Sequence, residues 1–189
     1  MRFNLFDLVA GIYDRAAPYV LTQTDRERFH LPTAGCLLDA GGGTGRLALA
    51  LGEDVKLAVV VDSSWGMVRR ASSKGLLATH AVLEGLPFAE QSFDRIVMMD
   101  AFHHDLDHDK TIAELWRILV PGGWLVIIEP DKRHLRVKLI ALMEKLLLMR
   151  SHFFDSEDIV GLLQQPDSRI DALQDGFSIW ILAQKVRQM

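Results

Sequence analysis

The chain holds 189 residues, 49% hydrophobic and 24% charged, with a net charge of −4 and a pI near 5.9. This suits one globular domain with a sizeable core and excludes a disordered chain. The acidic balance argues against a duplex nucleic-acid binder, which presents a basic face.

The opening segment, MRFNLFDLVAGIYDR, carries acids and lacks a cleavable apolar core, and no apolar run reaches transmembrane length. The cytoplasm is the expected compartment. No repeat, low-complexity tract or linker interrupts the chain, so a single domain over residues 1–189 is expected.

Helical patterns cover residues 5–12 and 18–29, broken by Pro18. Strand-length apolar runs then alternate with helical ones. The strands are Cys36–Ala40, Leu57–Asp62, Leu76–Leu83, Arg95–Asp100 and Trp124–Glu129. The helices are Thr44–Leu51, Ser64–Lys74 and His108–Leu119. VPGGW at 120–124 supplies the Pro and Gly that end the last of these helices. Cys36, the single cysteine, excludes an internal disulfide and a cysteine-based zinc site, and reads as core.

Runs such as LAVVVD are apolar throughout, as in a parallel sheet covered on both faces. A long helix at 134–150 and another at 156–164 follow, the second capped by Asp155 or Ser156. Two final strand-like runs flank QDG, a hairpin signal. The expected fold is α/β: a doubly wound, seven-stranded, mostly parallel sheet with a reversed last strand.

Ligands of open parallel sheets bind beyond the carboxyl ends of the strands. DAGGGTG at 39–45 lies at such an end, and Gly41, Gly43 and Gly45 allow a tight turn and close approach of a ligand. A plain strand–helix turn is the alternative. No Gly-Lys-Ser/Thr follows, which excludes a P-loop. Arg46 stands where a dinucleotide fingerprint needs its third glycine. Asp39 before the turn would repel a pyrophosphate, but suits the loop amides or an ammonium group. Asp62, ending the second strand, can accept both ribose hydroxyls or cap the next helix. A ligand with a ribose, a positive end and no pyrophosphate is implied. S-adenosylmethionine has these features.

With these residues the sequence resembles the class I S-adenosylmethionine-dependent methyltransferases. LDAGGGTG (38–45) is similar to their Asp/Glu-x-Gly-x-Gly-x-Gly loop, and VVVDSSWGMVRRA (59–71) to their second strand. EGLPFAEQSFDRIVMMDAFHH (84–104) and ELWRILVPGGWLVIIEP (114–130) resemble their later segments. FDLVAGIYDR and LPF resemble the small-molecule branch, especially the ubiquinone/menaquinone-biosynthesis enzymes.

The resemblance implies methyl transfer from S-adenosylmethionine to a small, hydrophobic or aromatic acceptor at carbon or oxygen. A degenerate cofactor-binding or scaffold protein is the alternative. Cofactor contacts are expected from Tyr13, Asp39, Gly41, Gly43, Gly45, Asp62, Ser63, Met67, Leu83 and Asp100. Residues 1–30 are expected to form an N-terminal helical lid, with Asp14 and Arg15 beside Tyr13. Relatives often carry Asp or Asn where this chain has Val82, so the Leu83 backbone and Glu84 are left to meet the adenine.

His103 and His104, just after the fourth strand, are the candidate general bases, with packing or helix capping as the alternative. No metal is expected. The basic, leucine-rich helix at 134–150 admits three readings: core packing, a homodimer face, or peripheral membrane contact. No nucleic-acid partner is expected.

Overall fold

The computed structural model describes residues 19–134, 137 and 152–187. The expected helix 5–12, the lid residues Tyr13, Asp14 and Arg15, and nearly all of the expected helix 134–150 lie outside the described residues.

The described elements are α1 (Gln23–Arg28), β1 (Thr33–Ala40), α2 (Arg46–Leu51), β2 (Val55–Asp62), α3 (Trp65–Ser73), β3 (Leu77–His80) and β4 (Phe93–Met99). They continue with α4 (His108–Ile118), β5 (Leu119–Pro130), α5 (Ser156–Leu162), β6 (Ser168–Asp175) and β7 (Ser178–Lys185). All seven strands form one sheet in the order β3-β2-β1-β4-β5-β7-β6. The pairs among β1 to β5 are parallel, and β7 runs antiparallel to both β5 and β6. The sheet therefore has the expected reversed last strand, inserted between β5 and β6.

Alternation along the central strands divides the core between two faces. Leu38, Ile96, Leu125, Ile127 and Ile181 pack with Ile112 and Leu115 of α4 and Ile159 of α5. The adjoining residues Leu37, Val97, Val126 and Trp180 point the other way, onto Phe29 and onto Leu47 and Leu51 of α2. Both faces are covered, which explains the uninterrupted apolar runs. Each fully buried Leu or Ile contributes about 1.5–3 kcal/mol.

Helix starts follow local chemistry. Ser64 accepts from Met67 N at α3, and Asp107 accepts from Lys110 N at α4. Asp155, not Ser156, caps α5, forming a reciprocal capping box with Asp158.

Three boundaries differ from expectation. The first described helix is shorter than 18–29, because Thr22 and Asp25 form a capping box that starts it at Gln23. VPGGW does not end α4: the helix stops at Ile118, and Leu119 already pairs with Phe93. The Pro-Gly-Gly segment is a bulge inside β5, with Gly122 at φ 88°. β3 spans four residues: its last ladder bond runs from Ala81 N to Asp62 O at 3.1 Å, and the chain then leaves the sheet. Among the described residues, no helix is long and apolar enough to cross a membrane.

Candidate functional site

The sheet reverses its winding between β1 and β4, so the loops leaving these strands diverge and open a crevice at their carboxyl ends. The β1 loop is fixed by its own amides. Gly42 N donates to Val61 O at 3.1 Å, and Gly45 N donates to Gly42 O at 2.9 Å. Gly43 N donates to Asp62 Oδ2 at 2.9 Å. Lys74 Nζ holds Thr44 O at 2.8 Å from behind.

The loop glycines do different jobs. A Cβ on Gly41 would stand 2.5 Å from Ala101 Cβ, and one on Gly42 would stand 2.4 Å from the Asp39 carboxyl carbon. One on Gly45 would meet Leu76 Cδ1 at 2.3 Å. These three are packing requirements within the protein. Among the described residues, a Cβ on Gly43, at φ 57°, would have only Met67 Sδ within 4 Å, at 3.8 Å. The space above Gly43 is otherwise open among the described residues, and the Gly43 amide is held by the Asp62 carboxylate.

Three aspartates stand at the carboxyl ends of the strands that meet here: Asp39 in β1, Asp62 ending β2 and Asp100 just after β4. Asp62 Oδ1 also accepts from Ser64 N at 2.8 Å; the helix cap itself is Ser64, not Asp62. Asp39 is buried, with Oδ2 accepting from Ala48 N at 3.2 Å. Desolvation pushes its pKa up to about 7; the Ala48 amide opposes the rise, Asp62 adds to it, and Arg46 again opposes it. Asp100 is exposed at the crevice mouth and takes a left-handed backbone, φ 52°. The concave protein wall behind it still desolvates its carboxyl, which together with the Glu129 charge raises the pKa to about 6.

The other wall is histidine-rich. The chain leaves β4 in a single 3₁₀ turn, Phe102–His104. His103 is buried, stacks on Phe153 with ring centroids 4.6 Å apart, and presents Nδ1 to Glu129 Oε2 at 2.5 Å. Glu129, at the end of β5, is 1% exposed. Its Oε1 accepts from Ala101 N at 2.9 Å and Phe102 N at 2.8 Å. His104 tilts against His103, and desolvation lowers its pKa to about 3.

The structure thus brings Asp39, Gly41, Gly43, Gly45, Asp62, Met67 and Asp100 to one loop cluster, with His103 and His104 on the β4 side. Met67 and Leu83 are buried. Ser63 O meets His80 Nε2 at 3.0 Å, and His80 stacks on Trp65 at 4.5 Å. Val82 is 56% exposed, and Glu84 Oε1 accepts from Leu106 N at 3.2 Å. Glu84 therefore braces the loop after β4, a role the sequence does not suggest.

Sequence reasoning also passed over Glu129. Its signal is an acid at the end of the apolar run WLVIIEP, since buried charges need partners. Two surface grooves lie elsewhere. One, of about 580 Å³ beside β6, is lined by Val160, Pro166 and Ile170; the other, of about 450 Å³, opens at the amino-terminal rim near Pro121. Neither contains the acids and glycines described here. Among the described residues, no group of three His, Cys, Asp or Glu side chains is placed to hold a metal.

Residues 38–127 match the family described as "Methyltransferase domain". A demethylmenaquinone methyltransferase of Clavibacter sepedonicus is 32% identical over 137 residues, covering 66% of this chain and 56% of that protein. One of Thermus thermophilus is 35% identical over 101 residues, 49% of this chain and 46% of the relative. A ubiquinone/menaquinone biosynthesis C-methyltransferase of Geotalea daltonii is 28% identical over 67% of this chain and 61% of its own length. The chain thus spans about half to three-fifths of the length of these relatives. Among solved structures, an S-adenosylmethionine-dependent methyltransferase of Thermotoga maritima superimposes with TM-score 0.76 at 22% identity, over 95% of this chain and 98% of its own. One from Aquifex aeolicus gives 0.74 at 20% identity, over 98% and 100%.

Proposed function

We propose that this chain, a class I S-adenosylmethionine-dependent methyltransferase of the quinone-biosynthesis-like branch, methylates a small hydrophobic or aromatic acceptor at carbon or oxygen. The observation that carries the proposal is that Gly43, tied to the Asp62 carboxylate, leaves room above its peptide among the described residues. It is the place in the loop where a ligand can rest against peptide.

Domain and fold imply S-adenosylmethionine as the cofactor, and the residues present fit it. Asp62 ends β2 beside this loop, and a carboxylate there can accept from ribose hydroxyls. Gly43 gives contact without a side chain, and Met67 Sδ flanks the same space. Asp39 holds the start of α2 through Ala48 N. Asp100, at the crevice mouth, would meet the methionine end of the cofactor. When bound, the cofactor supplies a methyl group already activated on a sulfonium. The protein's contribution is then alignment, which supplies roughly 7–11 kcal/mol in favourable cases.

An acceptor hydroxyl or ring carbon must also shed a proton. His103 is the base in this proposal. His104, held neutral by desolvation, binds a proton too weakly at ordinary pH to serve. The relatives named for quinone biosynthesis make a hydroquinone the first acceptor to try. Residues 1–30 are proposed as the lid, Tyr13 among its cofactor contacts.

Calorimetry with S-adenosylmethionine and S-adenosylhomocysteine tests the proposal. Binding of both supports it; binding of neither leaves the scaffold reading.

A further inference from the structure

We propose that Glu129 is a positioning residue that fixes the tautomer of His103, holding the ring proton on Nδ1 and the basic lone pair on Nε2. The catalytic consequence rests on the methyltransferase reading; the geometry does not.

The two oxygens of Glu129 have divided roles. Oε1 accepts from Ala101 N and Phe102 N, the amides of the residue before the β4 exit turn and of its first residue. Oε2 meets Nδ1 of His103 at 2.5 Å. A carboxylate only accepts, so Nδ1 must donate. A neutral imidazole with its proton on Nδ1 has its lone pair on Nε2.

The ring has little freedom to turn away. Phe153 stacks on one face at an interplanar angle of 16°. The His103 carbonyl accepts from His152 N at 2.7 Å, which ties the turn to the segment before α5. The carboxylate that shapes the exit turn is thus the same one that orients its histidine. When an acceptor hydroxyl or ring C–H gives up its proton, Nε2 takes it, Nδ1–H stays on Glu129, and the imidazolium charge faces the carboxylate. No further reactant is needed for that proton balance.

Glu129→Gln separates this role from a merely structural one. The two main-chain N–H groups demand an acceptor where Oε1 now lies. The glutamine oxygen must take that place, and its NH₂ then faces Nδ1. His103 must accept at Nδ1 and move its proton to Nε2. Long-range ¹H–¹⁵N spectra of the cofactor-free protein read this directly, with His103→Gln supplying the assignment.

The expected result is an Nδ1–H tautomer in wild type and Nε2–H in Glu129→Gln. S-adenosylhomocysteine affinity should stay within about threefold, while kcat for a 1,4-naphthohydroquinone acceptor falls at least about 100-fold. An Nε2–H tautomer in wild type, or an imidazolium protonated on both nitrogens at the assay pH, overturns the proposal. So does a Glu129→Gln protein that transfers methyl at the wild-type rate. If Glu129→Gln fails to fold, the wild-type spectrum decides alone. If wild type neither binds S-adenosylhomocysteine nor transfers methyl, the functional reading fails, and the tautomer still decides the geometry.

Discussion

The main-chain amide of Gly43 donates to Asp62 Oδ2 at 2.9 Å, so the loop after β1 is tied to the carboxylate that ends β2. Two strands neighbouring in the sheet thereby present one surface: bare peptide from the first, a carboxylate from the second.

Asp62→Ala removes the acceptor for two main-chain N–H groups, Gly43 and Ser64. Affinity for S-adenosylhomocysteine should fall at least about tenfold, from lost ribose contacts and a loosened loop. Each amide left without its partner costs about 1–3 kcal/mol where water cannot replace it. Calorimetry and urea unfolding on the same variant check both halves. Unchanged affinity would mean that the ribose is held elsewhere.

The loop glycines should separate stability from binding. Gly41→Ala drives Cβ to 2.5 Å from Ala101 Cβ, which has no rotamer to retreat into. Among the described residues, Gly43→Ala meets only Met67 Sδ at 3.8 Å, and it suffers the left-handed backbone strain, about 1 kcal/mol. Gly41→Ala should therefore lower Tm the more. Gly43→Val should stay folded yet lose cofactor binding. Retained binding in Gly43→Val would count against the loop assignment.

Asp39 makes stability depend on pH. Its folded pKa, about 7, lies above the ordinary 3.8, so between these values the folded state keeps a proton that the unfolded state has lost. The associated stability is full below about pH 4 and drains away as pH rises to about 7, by at most roughly 4 kcal/mol. Asp39→Asn retains an acceptor for Ala48 N and cannot ionise. Urea titrations at pH 5 and pH 8 should show a smaller loss for the variant than for wild type. An equal loss in both would place the titration on another group.

The two histidines should part company in kinetics. His103→Gln should cut methyl transfer to a hydroquinone about 10²–10⁴-fold while leaving S-adenosylhomocysteine binding within a few-fold. His104→Gln should cost far less, because burial already holds His104 neutral. Single-turnover rates beside calorimetry distinguish these outcomes, and the reverse ranking would move the base to His104.

What the sequence disclosed, and what it withheld, follows from the range of the forces involved. The alternation of strands and helices and the terminal QDG hairpin rest on local periodicity and turn chemistry, and the sheet order agrees with them. Asp39 and the glycines are near neighbours in the chain, and Asp62 ends the next strand, so one strand–helix–strand unit suffices to bring them together. The Glu129–His103 pair spans 26 residues and depends on β4 and β5 lying side by side in register, Met99 against Ile128. No local pattern announces such a contact. The Pro-Gly-Gly segment misled for the related reason that its residues suit a helix stop and a strand bulge equally. Only the pairing of Leu119 with Phe93 decides between them.

The most direct test is a crystal structure of this chain with S-adenosylhomocysteine. The nucleoside should lie against residues 41–45, its ribose hydroxyls on the Asp62 carboxylate and its sulfur turned towards the β4 exit turn. A ligand bound elsewhere, or a crevice filled by the protein's own side chains, would contradict the account.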